Sequence, residues 1–248
     1  MRILRMVSIA DLFTLTNALL GFLAILLVLE GEVLFAIYTI LLGILCDGLD
    51  GLLARRFSRK WYFGDYLDLM ADTTSFCVAP AVVVFVTSRG AMRELAGAHS
   101  DIVLFAACAT SVVCGLLRLA RFCYMGGGHS SVFTGLPSPA SALVVALLSL
   151  QGELSETPLP GILRPLALAL LGLLMISDLR YPKVRGTYAV SSGVVIFLVI
   201  VTERAGAGAP LFEFLLDLAL LLSVAYVTFG PFATGRRPGA RAPAARNG

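Results

Sequence analysis

Long apolar runs recur along this 248-residue chain, and no other feature limits its possible folds more. They fall near residues 12–29, 34–55, 64–86, 102–124, 139–151, 162–177, 188–202 and 211–229, and most approach the ~20 residues that a membrane-spanning helix needs. A segment without water around it must satisfy its own backbone N–H and C=O groups, which a helix does within itself. The residues are 58% hydrophobic and only 14% charged, with a mean hydropathy of +0.90, far from the balance of a soluble domain. The expected fold is an all-α polytopic membrane protein with about eight transmembrane helices. Because the fifth, sixth and seventh runs are short, a core of six with two looser spans is the alternative.

Basic residues give an orientation, since cytoplasmic loops collect Lys and Arg. With the N-terminus inside, the alternation of spans leaves only Arg89, Arg93, Arg164 and Arg204 on the outer side, four of the nineteen basic residues. Both termini are therefore expected in the cytoplasm, with the protein in the cell membrane. Met1–Asp11 carries two arginines before its apolar residues but no small-residue cleavage site, so it reads as a short interfacial helix leading into an uncleaved first span. The expected division is an integral membrane domain over residues 1–232 and a disordered, basic cytoplasmic tail over 233–248, rich in Gly, Arg, Pro and Ala.

Against this background, carboxylates at membrane depth are costly and need a reason. Four of them form the pattern Asp47-x-x-Asp50-Gly51-x-x-Ala54-Arg55, eight residues, Gly64, three residues, Asp68, three residues, Asp72. Helical spacing puts Asp47 and Asp50 on one face and Asp68 and Asp72 on another. Two such pairs facing each other make a cage that stays ionised only with cations, and hard oxygen donors select magnesium, manganese or calcium. Gly51 and Ala54 clear a slot beside the first pair, Arg55 can grip a phosphate oxygen with two N–H groups, and Gly64 opens the third span with N–H groups that favour anions. A pair of divalent ions would clamp the attacking and leaving oxygens of a phosphoryl displacement. The structural alternative, a salt-bridge cluster with the loop arginines, requires neither the double helical register nor the small residues.

The remaining reactive side chains carry less. Cys46, Cys77, Cys108, Cys114 and Cys123 lie in or beside predicted spans with no Cys-x-x-Cys pair, which argues against a disulfide framework or a zinc site. His99 and His129 are isolated in loops. Gly126-Gly127-Gly128 follows no strand, so it reads as a flexible cytoplasmic loop and not a dinucleotide fingerprint. Asn17 is a polar group in the first span that needs hydrogen bonds, either to a nucleotide or to another span.

The Asp47–Asp72 pattern resembles the signature of the CDP-alcohol phosphotransferases, with every fixed position filled. The resemblance implies a six-helix core, an active site on the cytoplasmic side, and Asp47, Asp50, Asp68 and Asp72 as ligands of two divalent metals. It also implies a CDP-linked donor near Gly51, Ala54 and Arg55, and Asp72 as the general base. Asp65, one turn before Asp68, is outside the fixed positions and is expected to act only indirectly.

Segments outside the signature resemble the phosphatidylserine synthase branch: Asp72-x-x-Ser75-Phe76-x-Val78-Ala79-Pro80, Arg118-Leu119-Ala120-Arg121-Phe122, Gly135-Leu136-Pro137-x-Pro139 and Ser177-x-x-Arg180-Tyr181-Pro182. Two departures are Cys77, where glycine is usual, and Cys123, where asparagine is usual. Three-residue spacing aims Arg118 and Arg121 toward the cage, where an amino-acid carboxylate would want a cation; ordinary positive-inside anchoring is the alternative for each. The expected partners are CDP-diacylglycerol or CDP-archaeol, L-serine, the surrounding membrane lipids and a second copy in a homodimer, with no nucleic acid. Inositol phosphate or glycerol phosphate is the alternative acceptor. An intramembrane prenyltransferase would place its aspartate motifs far apart, and a divalent-cation transporter would spread acidic groups along a path, whereas here only Glu213 and Asp217 lie deep in another span.

Overall fold

The computed structural model describes residues 9–57, 62–124, 132–154, 159–182 and 209–233. Eight α-helices run through them: α1 (Ile9–Leu29), α2 (Val33–Phe57), α3 (Tyr62–Asp72), α4 (Ala79–Ala96), α5 (Ser100–Tyr124), α6 (Ser138–Leu154), α7 (Leu159–Ile176) and α8 (Ala209–Ala233). Seven of the eight predicted spans fall on these helices. The seventh, 188–202, lies outside the described residues, as do Met1–Ser8, the Gly126–Gly128 run, His129 and the tail beyond Ala233. Ile9, Ala10 and Asp11 form the first turn of α1 itself.

Three helical stretches are long and apolar enough to cross a membrane: Asp11–Leu29, Tyr66–Tyr124, which turns at the 3-10 segment Gly97–His99, and Pro210–Ala233. Shorter apolar helices cover Val33–Leu49, Ser138–Leu154 and Gly161–Ile176. The chain is thus a mostly helical membrane protein. Beside the helices, one short ladder is present: β1 (Val132–Thr134) and β2 (Arg180–Pro182) pair antiparallel, with Phe133 opposite Tyr181. A three-residue ladder is too short for hydrophobic alternation to announce.

Packing follows the rules of a nonaqueous solvent. Large side chains such as Leu12, Leu19, Phe22, Leu26 and Leu29 on α1 point outward. Small ones turn inward to let helices approach, among them Ala24, Ala36, Ala79, Ala81, Ala146 and Ala219. One buried cluster joins α1, α2, α4, α6 and α8 around Ile37, Leu41, Leu147 and Leu216; a second joins α4 to α7 around Val84, Leu104, Leu168 and Met175.

The α1–α2 turn is tight because Gly31 adopts φ +87°, letting Gly31 N–H reach Val28 O at 3.2 Å and Glu32 N–H reach Leu27 O at 2.9 Å. Between α3 and α4 the helix widens to a π segment over Thr73–Val78, in which Ala79 N–H bonds to the carbonyl of Thr74, five residues back. Pro80, near the start of α4, has no N–H with which to continue an α ladder. The extra residue in this turn sits directly after Asp72, a place where π segments commonly serve a site.

Candidate metal centre and active site

The carboxylates come from two consecutive helices that both pack against α1. Asp47 lies ten residues before the end of α2 at Phe57, and Asp72 lies ten residues after the start of α3 at Tyr62. At ~1.5 Å per helical residue each stands about 15 Å from that end of its helix. One oxygen from each of Asp47, Asp68 and Asp72 lies within 4.8 Å of the others. Asp72 is buried, and Asp47 and Asp68 are partly so. Three hard oxygen donors at this separation, in a largely apolar setting, fit a magnesium- or manganese-type ion. The side chains of Asp50, Ala54, Arg55 and Asp65, and the surroundings of Gly51, lie outside the described residues.

Beside the cage stands Ser138, which the sequence did not single out. Arg118 Nη1 donates to Ser138 Oγ at 2.9 Å, and Ser138 Oγ donates to Asp72 Oδ2 at 3.4 Å. Arg118, 6% exposed, is held between the rings of Phe122 and Phe133, with its guanidinium carbon 5.6 and 5.8 Å from their centroids. Ser138 occupies the unspecified position of Gly135-Leu136-Pro137-x-Pro139, so a motif with a wildcard there concealed it.

Arg121 is placed differently. Its guanidinium donates to the carbonyls of Thr134 at 2.8 Å, Ser177 at 3.0 Å and Ile176 at 3.4 Å, and pairs with the exposed Asp178 at 3.3 Å. Around it, Gly135 N–H bonds to Leu179 O at 2.7 Å and Leu136 N–H to Leu174 O at 3.1 Å. Three of the separated sequence segments, at 118–122, 135–139 and 177–182, therefore meet in one knot. Tyr181 anchors it to α8, donating to Val227 O at 3.2 Å, and Tyr226 returns a bond to Pro182 O at 3.0 Å. Leu117, Arg118, Arg121 and Ile176 line an open cleft of about 160 Å³ beside the knot.

Asn17 is fully buried where α1 meets α2 and the π segment. Its backbone carbonyl accepts the Ser75 hydroxyl at 2.7 Å, while both atoms of its side-chain amide lack a hydrogen-bond partner among the described residues. A Cβ on Gly43, one turn before Asp47, would come within 2.9 Å of Asn17 Oδ1. Asp11, also buried, reaches the start of α3, where a Cβ on Gly64 would meet its Oδ1 at 3.0 Å. Cys77 fills room left by a small residue, because a Cβ on Gly115 would lie 2.6 Å from its sulfur. All five cysteines are free.

Glu213 and Asp217 stand apart on α8, both exposed, with Asp217 accepting from Gln151 at 3.1 Å. They extend no acidic path from the cage among the described residues.

Comparison with known proteins agrees with this geometry. The chain is 34% identical over 187 residues to an archaetidylserine synthase of Methanothermobacter thermautotrophicus, covering 75% of this chain and 74% of the relative. It is 33% identical over 226 residues to a CDP-diacylglycerol–serine O-phosphatidyltransferase of Methanocaldococcus jannaschii, covering 91% and 94%. A protein of that same name from Helicobacter pylori is 31% identical over 201 residues, covering 78% and 81%. Residues 7–176, which include the whole cage, the Arg118–Ser138 pair and the partners of Arg121 up to Ile176, match the CDP-alcohol phosphatidyltransferase family, and the chain belongs to it.

Proposed function

We propose that the protein transfers a phosphatidyl or archaetidyl group from a CDP-lipid to the hydroxyl of L-serine and releases CMP. The observation that carries this reading is the meeting of Asp47, Asp68 and Asp72 within 4.8 Å, in a chain similar over most of its length to enzymes named for serine transfer. Asp47, Asp50, Asp68 and Asp72 hold two divalent ions, magnesium or manganese in the first instance. Bound ions of this kind neutralise charge on the attacking and leaving oxygens of a phosphoryl displacement. Asp72, buried beside a hydroxyl donor, takes the proton of the serine hydroxyl as it attacks the lipid-side phosphorus in line.

Gly51, Ala54 and Arg55 take the nucleotide and its phosphates. The unpartnered amide of Asn17 favours a ligand contact from the first span, because a buried amide without hydrogen bonds is costly. Arg118, with Nη1 given to Ser138, keeps further N–H groups for the acceptor carboxylate. Arg121 shapes the wall of the neighbouring cleft while bonding to backbone carbonyls. The site faces the cytoplasm in a bundle of about eight spans, both termini are cytoplasmic, residues 233–248 form a separate basic tail, and two copies associate as a homodimer.

CMP release by the purified protein decides the acceptor. L-serine should stimulate release from CDP-diacylglycerol or CDP-archaeol far more than glycerol phosphate or inositol phosphate does. Arg118→Ala should raise the serine concentration required. Stimulation by a phosphorylated polyol and not by serine would overturn the serine assignment and leave the family assignment standing.

A further inference from the structure

Ser138 is built into the molecule with more care than a helix start requires. Pro137 and Pro139 fix the backbone on either side of it. Gly135, at φ +81°, lets the chain pass so close to the end of α7 that any Cβ there would collide with the Met175 carbonyl. Gly135 and Leu136 are tied to Leu179 and Leu174 by backbone hydrogen bonds, and Arg121 holds the Thr134 carbonyl. What this anchoring delivers is one hydroxyl, 0% exposed, between a buried guanidinium and a buried carboxylate. A serine at such a position ordinarily caps the first turn of its own helix. Here the hydroxyl takes a proton donor from Arg118 and gives its own proton to Asp72 Oδ2.

We infer that Ser138 is a positioning residue for Asp72. It holds one carboxylate oxygen and keeps the Arg118 guanidinium at one remove, so that Asp72 stays turned toward Asp47 and Asp68. The reasoning is steric and directional. The Ser138 hydroxyl bonds to both Arg118 and Asp72 and so stands between the guanidinium and Asp72 Oδ2, whereas a guanidinium with no hydroxyl in that place would take both carboxylate oxygens in a two-pronged pair. Without the Ser138 hydroxyl, Asp72 would turn toward Arg118 and out of the cage. Because the inference rests on Asp72 being a metal ligand, its test reads metal binding directly.

Mn2+ alone is titrated into the detergent-purified full-length protein and free Mn2+ is followed by electron paramagnetic resonance, with serine-dependent CMP release measured in parallel. Ser138→Ala should weaken Mn2+ binding and slow turnover by roughly 10–100-fold, the usual cost of removing a partner that orients a metal ligand. Ser138→Thr, which keeps a hydroxyl, should recover most of the binding. Ser149→Ala, removing a buried hydroxyl elsewhere on α6 that has no partner among the described residues, should bind Mn2+ like the parent. If Ser138→Ala does not fold, the nearly isosteric Ser138→Cys carries the same test. Parent-like Mn2+ binding by Ser138→Ala or Ser138→Cys overturns the inference, as does a Thr variant no better than Ala. Failure of the parent protein itself to bind Mn2+ would refute the metal site, a different outcome from the failure of Ser138.

Discussion

Gly135→Ala tests whether the knot around Arg121 is as tight as its geometry implies. The new methyl group would be placed at φ +81°, a left-handed conformation that costs a non-glycine residue about 1–2 kcal/mol. It would also land on the Met175 carbonyl and within 2.8 Å of Arg121 Nη2, and backbone cannot rotate out of the way as a side chain can. Relief therefore requires the segment to lift. That loosens the Gly135–Leu179 and Leu136–Leu174 bonds, each contributing about 1 kcal/mol net. The whole effect is about 3–4 kcal/mol, which for a domain of this length lowers the unfolding midpoint by roughly 10 °C. Gly31→Ala is the control: φ is +87°, but nothing lies within 4 Å of the added carbon. It should cost only about 1 kcal/mol, or roughly 3 °C. Thermal unfolding of both variants in detergent, followed by light scattering and intrinsic fluorescence, measures the difference. Equal shifts at the two positions would refute the claim that close approach to α7, and not the left-handed turn alone, demands glycine at 135.

The cage gives a second prediction: Asp47→Asn, Asp50→Asn, Asp68→Asn and Asp72→Asn should each abolish CMP release, and the parent enzyme should lose activity to a chelator and regain it with magnesium or manganese, whereas Asp65→Asn should be milder. Full activity after chelation would refute the metal mechanism. At the far end of the bundle, outside the spans, hydrogen bonds from Arg89 and then Arg93 hold the Asp101 carboxyl below its ordinary range. A folded-state value below the unfolded one stabilises the protein above the ordinary carboxylate range and is lost as pH falls through the folded value. Unfolding midpoints of the parent should thus decline through acid pH slightly more than those of Asp101→Asn, with a difference that shrinks in high salt; identical profiles would show the α4–α5 pair to be energetically silent. On topology, single cysteines placed in Arg55–Lys60 should resist a membrane-impermeant label in intact cells and those in Arg89–Ser100 should react; the reverse pattern would invert the orientation.

Much of this protein is written locally. Hydropathy marks the helices because each must satisfy its backbone within itself, and the Asp47–Asp72 spacing marks the acidic cluster because Asp47, Asp68 and Asp72 fall at helical spacing on two consecutive helices. Seven predicted spans coincide with helices for that reason. Tertiary structure alone decided what happens between segments far apart in the chain. Arg118 and Arg121, identical in type and three residues apart, diverge completely: one faces Ser138 at the cage, the other spends its donors on the carbonyls of Thr134, Ile176 and Ser177. No spacing rule separates them, because their partners come from α6 and from the end of α7. Ser138 was invisible for the same reason. A serine between two prolines reads as a helix start, and only the packing of α5 and α6 against the π segment after Asp72 makes its hydroxyl a link between a buried cation and the carboxylate of Asp72.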